Sequence, residues 1–165
     1  MRTTQARRGQ TPVLMQRAAH RDKVSVAASL WQTPRLGRVR LHYRIYPDTH
    51  LTAEDYADYL CELLGERLHG RPVIVLQDQG SMHRGEPLEE LAEDHPLLQV
   101  EALPAYAPEL NPVEAVWNYV KYNELANFAP LDVPDLSAVL NQTLGQLHRD
   151  PARLKSFLAA SPLQW

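Results

Sequence analysis

Three features of the sequence predict an α/β fold. Residues 23–31 and 39–46 alternate apolar and polar side chains, the period-2 pattern of paired strands. Residues 72–76, Pro-Val-Ile-Val-Leu, form a continuous apolar run, which predicts a strand covered on both faces. Apolar stripes at helical spacing separate and follow these strands. The expected architecture is a mixed sheet flanked by helices, with extra helices at the C-terminal end. No internal repeat or low-complexity stretch interrupts it, so residues 1–165 read as one domain.

Taken in order, residues 1–12 are polar and end in Gly-Gln-Thr-Pro, a loop lead-in. The first strand sets Val24, Val26, Ala28 and Leu30 against Ser25, Ala27 and Ser29. Turn residues Pro34 to Gly37 lead to a second strand, with Val39, Leu41, Tyr43 and Ile45 opposite Arg40, His42 and Arg44. That alternation predicts an antiparallel hairpin buried on one face. Pro47 and Asp48 end it. Thr52, with Asp55 three residues on, has the form of a capping box, and Tyr56, Leu60, Leu63, Leu64 and Leu68 continue as a helical stripe that Gly70 stops.

After the 72–76 strand, Asp78-Gln79-Gly80 is turn chemistry. A short helix follows over residues 86–94, with Leu88, Leu91 and Ala92 inward, and then a strand over residues 98–103. A proline-punctuated loop runs from Pro104 to Pro112. Beyond it a helix reaches about residue 126, with Val113, Val116, Trp117 and Val120 on its core face. Two helices complete the chain, striped by Leu136, Val139, Leu140, Leu144 and Leu147, and by Leu154, Phe157 and Leu158.

Composition places the chain among globular proteins: 44% of residues are apolar and 22% charged. No apolar run approaches the roughly 20 residues of a membrane span, and no apolar stretch follows the basic N-terminus, so neither a membrane segment nor a secretory signal is expected. The lone Cys61 excludes an internal disulfide and fits a reducing cytosol. The net charge of −3 hides a strong asymmetry. Residues 1–47 hold ten of the seventeen Lys and Arg residues and one acid, Asp22. Residues 48–165 hold seven basic residues and nineteen acids. The first segment suits a polyanion, with Arg35, Arg38, Arg40 and Arg44 as candidate contacts; a merely solvated basic strand pair fits the charge equally well.

Two acids draw attention. Asp78 follows the most apolar strand, at the carboxyl end where open α/β sheets form their sites. Glu114 lies one turn into the helix after the proline loop, with 35 residues between them, enough chain to return to the same sheet edge. Two carboxylates meeting there would suit Mg²⁺ or Mn²⁺. Each residue also has a plainer reading. Asp78 is a common turn residue, and Asn111-Pro112-Val113-Glu114 is a good helix start, with Asn111 as the cap, Pro112 first in the helix and Glu114 able to bond back to the cap. His83 could orient a carboxylate or sit on the surface, and Trp117 is most simply a packing residue.

Two segments carry a family resemblance. Val73-Ile74-Val75-Leu76-Gln77-Asp78-Gln79-Gly80-Ser81-Met82-His83-Arg84 resembles the second-aspartate segment of DDE transposases of the mariner-like bacterial insertion sequences. Leu103-Pro104-Ala105-Tyr106-Ala107-Pro108-Glu109-Leu110-Asn111-Pro112-Val113-Glu114-Ala115-Val116-Trp117 resembles their third-acid segment, in which the asparagine-proline-x-glutamate-x-x-tryptophan pattern is highly specific. Arg8-Gly9-Gln10-Thr11-Pro12 and His20-Arg21-Asp22-Lys23-Val24-Ser25 resemble the stretch between the first and second acids. The similarity spans roughly residues 7–160.

The resemblance implies an RNase H-like fold and DNA strand cleavage and transfer with Mg²⁺ or Mn²⁺. Asp78 and Glu114 would be metal-binding acids, with His83 beside Asp78. Asn111, Pro112 and Trp117 would support the helix that presents Glu114, and Lys121 stands where the family often has a basic residue. The partners implied are DNA, both transposon ends and target, and other transposase chains, including further copies of this one. Two departures stand out. Gln79 replaces the usual asparagine. The first acid has no counterpart, since nothing before Asp22 is acidic and neither Asp22 nor Asp48 matches its position. The chain is therefore expected to lack the family's first strand, to leave apolar surface and backbone donors open on that strand's neighbours, and to need a partner polypeptide for activity. The alternative is a non-catalytic remnant that binds DNA or dimerises with a full-length transposase.

Overall fold

A computed structural model describes residues 23–33, 36–65, 70–126 and 128–163. The lead-in expected over residues 1–12, as well as Arg35 and Leu68, lies outside them.

The alternating segments form strands β1 (Val24–Gln32) and β2 (Val39–Pro47), antiparallel from Val24↔Pro47 to Gln32↔Val39. Gly37, with φ +56°, makes the turn between them in a conformation that side chains disfavour. The hairpin is covered on both faces, not one. Val26, Ala28 and Leu30 join Leu41 and Ile45 in a core built with the last three helices, α3 (Val113–Tyr119), α4 (Val133–His148) and α5 (Pro151–Ala160). The opposite face, with Ala27, Trp31 and Tyr46, packs against α1 (Ala53–Leu63).

The polar alternation misled because part of this face is covered by a helix that offers its own polar partner. The Tyr59 hydroxyl lies 2.8 Å from Ser29 Oγ and 3.1 Å from the His42 carbonyl. Its single proton must go to the carbonyl, which can only accept, leaving the Ser29 hydroxyl to donate to the Tyr59 oxygen.

Thr52 caps α1 through the expected reciprocal box. Its Oγ1 accepts from Asp55 N at 3.1 Å, and Asp55 Oδ2 accepts from Thr52 N at 2.9 Å. Strand β3 (Val73–Gln77) then pairs in parallel with β4 (Leu98–Ala102), joined by α2 (Glu86–Asp94). Val73, Val75 and Leu98 pack against the core that α1 and α2 share.

The continuous apolar run predicted a strand covered twice, but Ile74 is 64% and Leu76 39% exposed. The helices that close the other side of the fold pack on β1 and β2 and do not extend over β3. Among the described residues the sheet consists of two separate pairs, β1–β2 and β3–β4. Among the described residues each of β1 and β3 pairs along one edge, and a cleft of about 450 Å³ lies between the two strands. No helix among the described residues is long and apolar enough to cross a membrane.

This asymmetry sets the stability of individual positions. Leu144 is fully buried in the core under the hairpin, so Leu144→Ala should cost about 2–5 kcal/mol, whereas Ile74→Thr on the open face should stay within about 0.5 kcal/mol. Urea unfolding of the two variants measures both, and equal losses would mean that β3 is covered after all.

Candidate functional site

The parallel register brings β3 and β4 to an end together, with Gln77 opposite Ala102, and Leu103 N donates to the Gln77 carbonyl at 2.7 Å. The chain after each strand therefore leaves at the same level. Asp78 is the first residue beyond β3. Its Oδ1 accepts from Gly80 N at 2.8 Å, the side-chain-to-backbone closure typical of an Asp turn. A Cβ at position 80 would stand 3.0 Å from Asp78 Oδ1 and 3.5 Å from His83 Nδ1, so any larger residue there would press the Asp78 carboxylate aside by a few tenths of an ångström.

His83 ends a short 3₁₀ turn (Ser81–His83), and its Nδ1 lies 2.7 Å from Asp78 Oδ1 and 3.1 Å from the Asp78 carbonyl. Both are acceptors, so Nδ1 carries a proton. All hydrogen bonds to the Asp78 carboxylate fall on Oδ1; among the described residues Oδ2 accepts none. Gln79, the departure from the family pattern, donates from Nε2 to the Leu103 carbonyl at 3.1 Å and ties this turn to the end of β4. Arg84 donates to the Gln79 carbonyl.

Glu114 approaches from the other side, in the first turn of α3. Pro112 occupies the cap position, not the first helical position, and supplies no side-chain cap. Asn111 caps the helix start as expected, its Oδ1 accepting from Val113 N at 3.1 Å. The Glu114 carboxylate makes no bond back to the helix start, so the capping reading does not describe it; among the described residues it has no hydrogen-bond or ion-pair partner. Val116 and Val120 seat α3 in the core, and Ser161 Oγ donates to the Leu110 carbonyl at 3.0 Å, holding the preceding loop. Trp117 packs against the same core and also lines the cleft.

Asp78, Asn111 and Glu114 line both the cleft between β1 and β3 and a second cavity of about 460 Å³ under the loop from Pro104 to Pro108. The two acids expected to meet thus both line the same two cavities. No group of three or more Asp, Glu, His or Cys residues that could hold a metal occurs among the described residues.

The basic residues expected to contact DNA do not gather at the acids; Arg84 instead lines the second cavity beside them. Arg40 stacks over Trp31 at 5.9 Å and Arg44 over Tyr46 at 5.2 Å, on the α1 face of the hairpin, and Arg44 also reaches Glu62 at 3.5 Å. Arg38 is exposed at the hairpin turn, and Lys121 is exposed on the π-helical turn (Val120–Glu124) that follows α3. Neither residue lines the cavities. Gln77 and Tyr56 were not singled out from the sequence. Gln77 is 8% exposed and hydrogen-bonded to the Tyr56 hydroxyl at 3.0 Å. The available signal was a lone amide wedged between an apolar run and an acid.

The family profile described as DDE superfamily endonuclease matches residues 1–136. No curated protein matches the chain. Among solved structures, the catalytic domain of Mos1 mariner transposase superposes with a TM-score of 0.53 at 17% identity, over 87% of this chain and 81% of that one. The Mos1 mariner paired-end complex with Mn gives 0.56 at 18% identity, over 99% of this chain and 52% of that one. The Mos1 strand transfer complex gives 0.52 at 16%, over 99% and 50%. At these identities the likeness is one of fold, and the chain spans about half the length of the longer transposase chains.

Burial raises the pKa of Tyr56 well above the usual 10.0, and the Asp78 charge adds to the effect; burial likewise raises that of Tyr59. The unfolded chain therefore releases these protons first, so the stability they contribute is whole below pH 10.0 and is lost as pH rises beyond it. In an alkaline titration, tyrosinate absorbance from Tyr56 and Tyr59 should appear only with unfolding, and Tyr56→Phe or Tyr59→Phe should each remove part of that late rise. Early ionisation of either residue in the folded state would contradict its burial.

Proposed function

The chain belongs to the DDE superfamily of endonucleases, and we propose that it takes part in transposase-type cleavage and transfer of DNA strands, with Asp78 and Glu114 holding Mg²⁺ or Mn²⁺. The observation that carries this reading is their shared position. Both acids line the same two cavities, Asp78 with Oδ2 free and Glu114 without a partner among the described residues. Carboxylate oxygens suit a hard cation, and Mg²⁺ is commonly held by one or two carboxylates together with water and substrate phosphate. Such an ion, when bound, polarises a phosphodiester and makes a water or 3′-hydroxyl a stronger nucleophile. His83 then serves to orient Asp78, and Asn111, Pro112 and Trp117 to present Glu114. The exposed basic residues of the hairpin, Arg38, Arg40 and Arg44, with Lys121, are the candidate phosphate contacts for transposon-end or target DNA.

The third carboxylate comes, in this reading, from an extended acid-bearing segment of a transposase polypeptide seated between β1 and β3. The unpaired edges of both strands, the apolar walls formed by Val26, Ala28, Leu30, Ile74 and Leu76, and the arrival of the cleft at Asp78 and Glu114 all support it. A strand added there would satisfy backbone groups on both sides. DNA as substrate, together with the lone exposed Cys61, suits a reducing cytoplasm. A second reading is a non-catalytic chain that binds DNA or dimerises with a full-length transposase; that no third acid joins the two among the described residues favours it.

Co-expression with an acid-bearing upstream transposase fragment separates the two. Mn²⁺-dependent nicking of transposon-end DNA should appear in the mixture. Asp78→Asn and Glu114→Gln should each lower it by about 100-fold or more, since even an outer partner of a metal ligand is worth roughly 10–100-fold. Undiminished nicking in Asp78→Asn would remove that residue from the site. Metal-independent DNA binding with no nicking in the mixture would establish the second reading.

A further inference from the structure

We propose that Tyr56 and Gln77 are positioning residues for Asp78, acting through His83 to keep Asp78 Oδ1 occupied and Oδ2 turned out for a cation. The inference rests on the reading of Asp78 as a metal ligand and adds two residues that no motif of the sequence marks.

Gln77 closes β3 with its amide buried and both ends used. Nε2 donates to the His83 carbonyl at 2.9 Å, and Oε1 lies 3.0 Å from the Tyr56 hydroxyl. The first bond fixes the amide's orientation, because a carbonyl can only accept. Oε1 must therefore face Tyr56, and the Tyr56 hydroxyl must donate to it. The Tyr56 ring also packs on the His83 ring, with centroids 4.4 Å apart. His83 is thus held by its backbone, through Gln77, and by its imidazole face, through Tyr56. With both fixed, Nδ1 stays 2.7 Å from Asp78 Oδ1.

Asp78 needs such a hold, because its side chain is 52% exposed. Tyr56 is on α1, whose cap, core face and contact with the turn at Ser81–His83 are built independently of the acids. The helix therefore offers a rigid reference for a carboxylate on a loop. Tyr56, Gln77, Asp78 and His83 all line the cleft between β1 and β3, so a segment seated there would bear directly on the relay.

The test uses the full chain and Mn²⁺ alone. Tyr56→Phe removes one oxygen and keeps the ring on His83; Gln77→Glu keeps the shape and removes the donor to His83. Each should weaken Mn²⁺ binding by up to about 10-fold, the low end of the range for outer partners of metal ligands, because both act through His83. The double variant should lose little more than either single one, because the two residues act in one chain of bonds. In metal-free protein, the ¹⁵N shifts of the His83 ring should move from a protonated Nδ1 toward mixed tautomers in both variants. Unchanged His83 shifts overturn the proposal whether or not metal binds, and so does unaltered Mn²⁺ affinity in a chain whose affinity falls in Asp78→Asn. Wild-type protein that binds no Mn²⁺ would instead sink the ligand reading, leaving the ring shifts to decide the relay by themselves.

Discussion

Five residues of β3 and five of β4 run side by side in parallel, from Val73↔Leu98 to Gln77↔Ala102, and this register fixes where the acids can meet. Parallel strands of equal length end on the same side, so the segments that leave them start as neighbours. Asp78 is the first residue after one strand, and the loop that leads to Glu114 begins after the other. The Leu103-to-Gln77 backbone bond and the reach of Gln79 to the Leu103 carbonyl extend that registration past the ladder itself. A slip of one residue would turn Asp78 to the opposite face and bury a different side chain in place of Gln77.

The two margins of β3 are treated very differently. Toward its end, nearly every polar group of the turn is paired: the Gln77 amide at both ends, Gly80 N, His83 Nδ1 and one oxygen of Asp78. Along its other edge no strand pairs with it among the described residues, and the apolar side chains of Ile74 and Leu76 are exposed. Buried networks hold their geometry only when fully satisfied, and an exposed apolar strand edge is costly in a protein that stays alone in water. A precise acid beside an uncovered edge is coherent if the edge receives another strand and the acid then becomes part of a larger site.

The hairpin supplies the wall opposite. Because α1 covers one of its faces and α3, α4 and α5 the other, β1 is rigidly placed even though it pairs on one side only. The same helices carry the site's working parts: α1 contributes Tyr56, and α3 contributes Glu114. Packing of the hairpin and presentation of the acids are therefore one problem solved by one set of contacts, among them Val116 and Val120 beneath Glu114 and Tyr59 beside Tyr56.

Local pattern was enough to determine the elements themselves, since periodicity, capping chemistry and turn residues act over a few positions. The Thr52–Asp55 box, the Asp78–Gly80 turn and the helical stripes all depend on neighbours in the chain. Asp78 and Glu114 were legible for the same reason, each marked by its own segment. Coverage was decided elsewhere. Whether a strand is buried once or twice depends on which helices come back to it, and that returned Val24–Gln32 as covered on both faces and Val73–Gln77 as open on one. The role of Glu114 was likewise undecided along the chain, because a helix-start glutamate can cap or bind; the fold left it facing a cavity. Tyr56 and Gln77 lay furthest from view, being 21 residues apart and joined by a hydrogen bond that only tertiary packing creates.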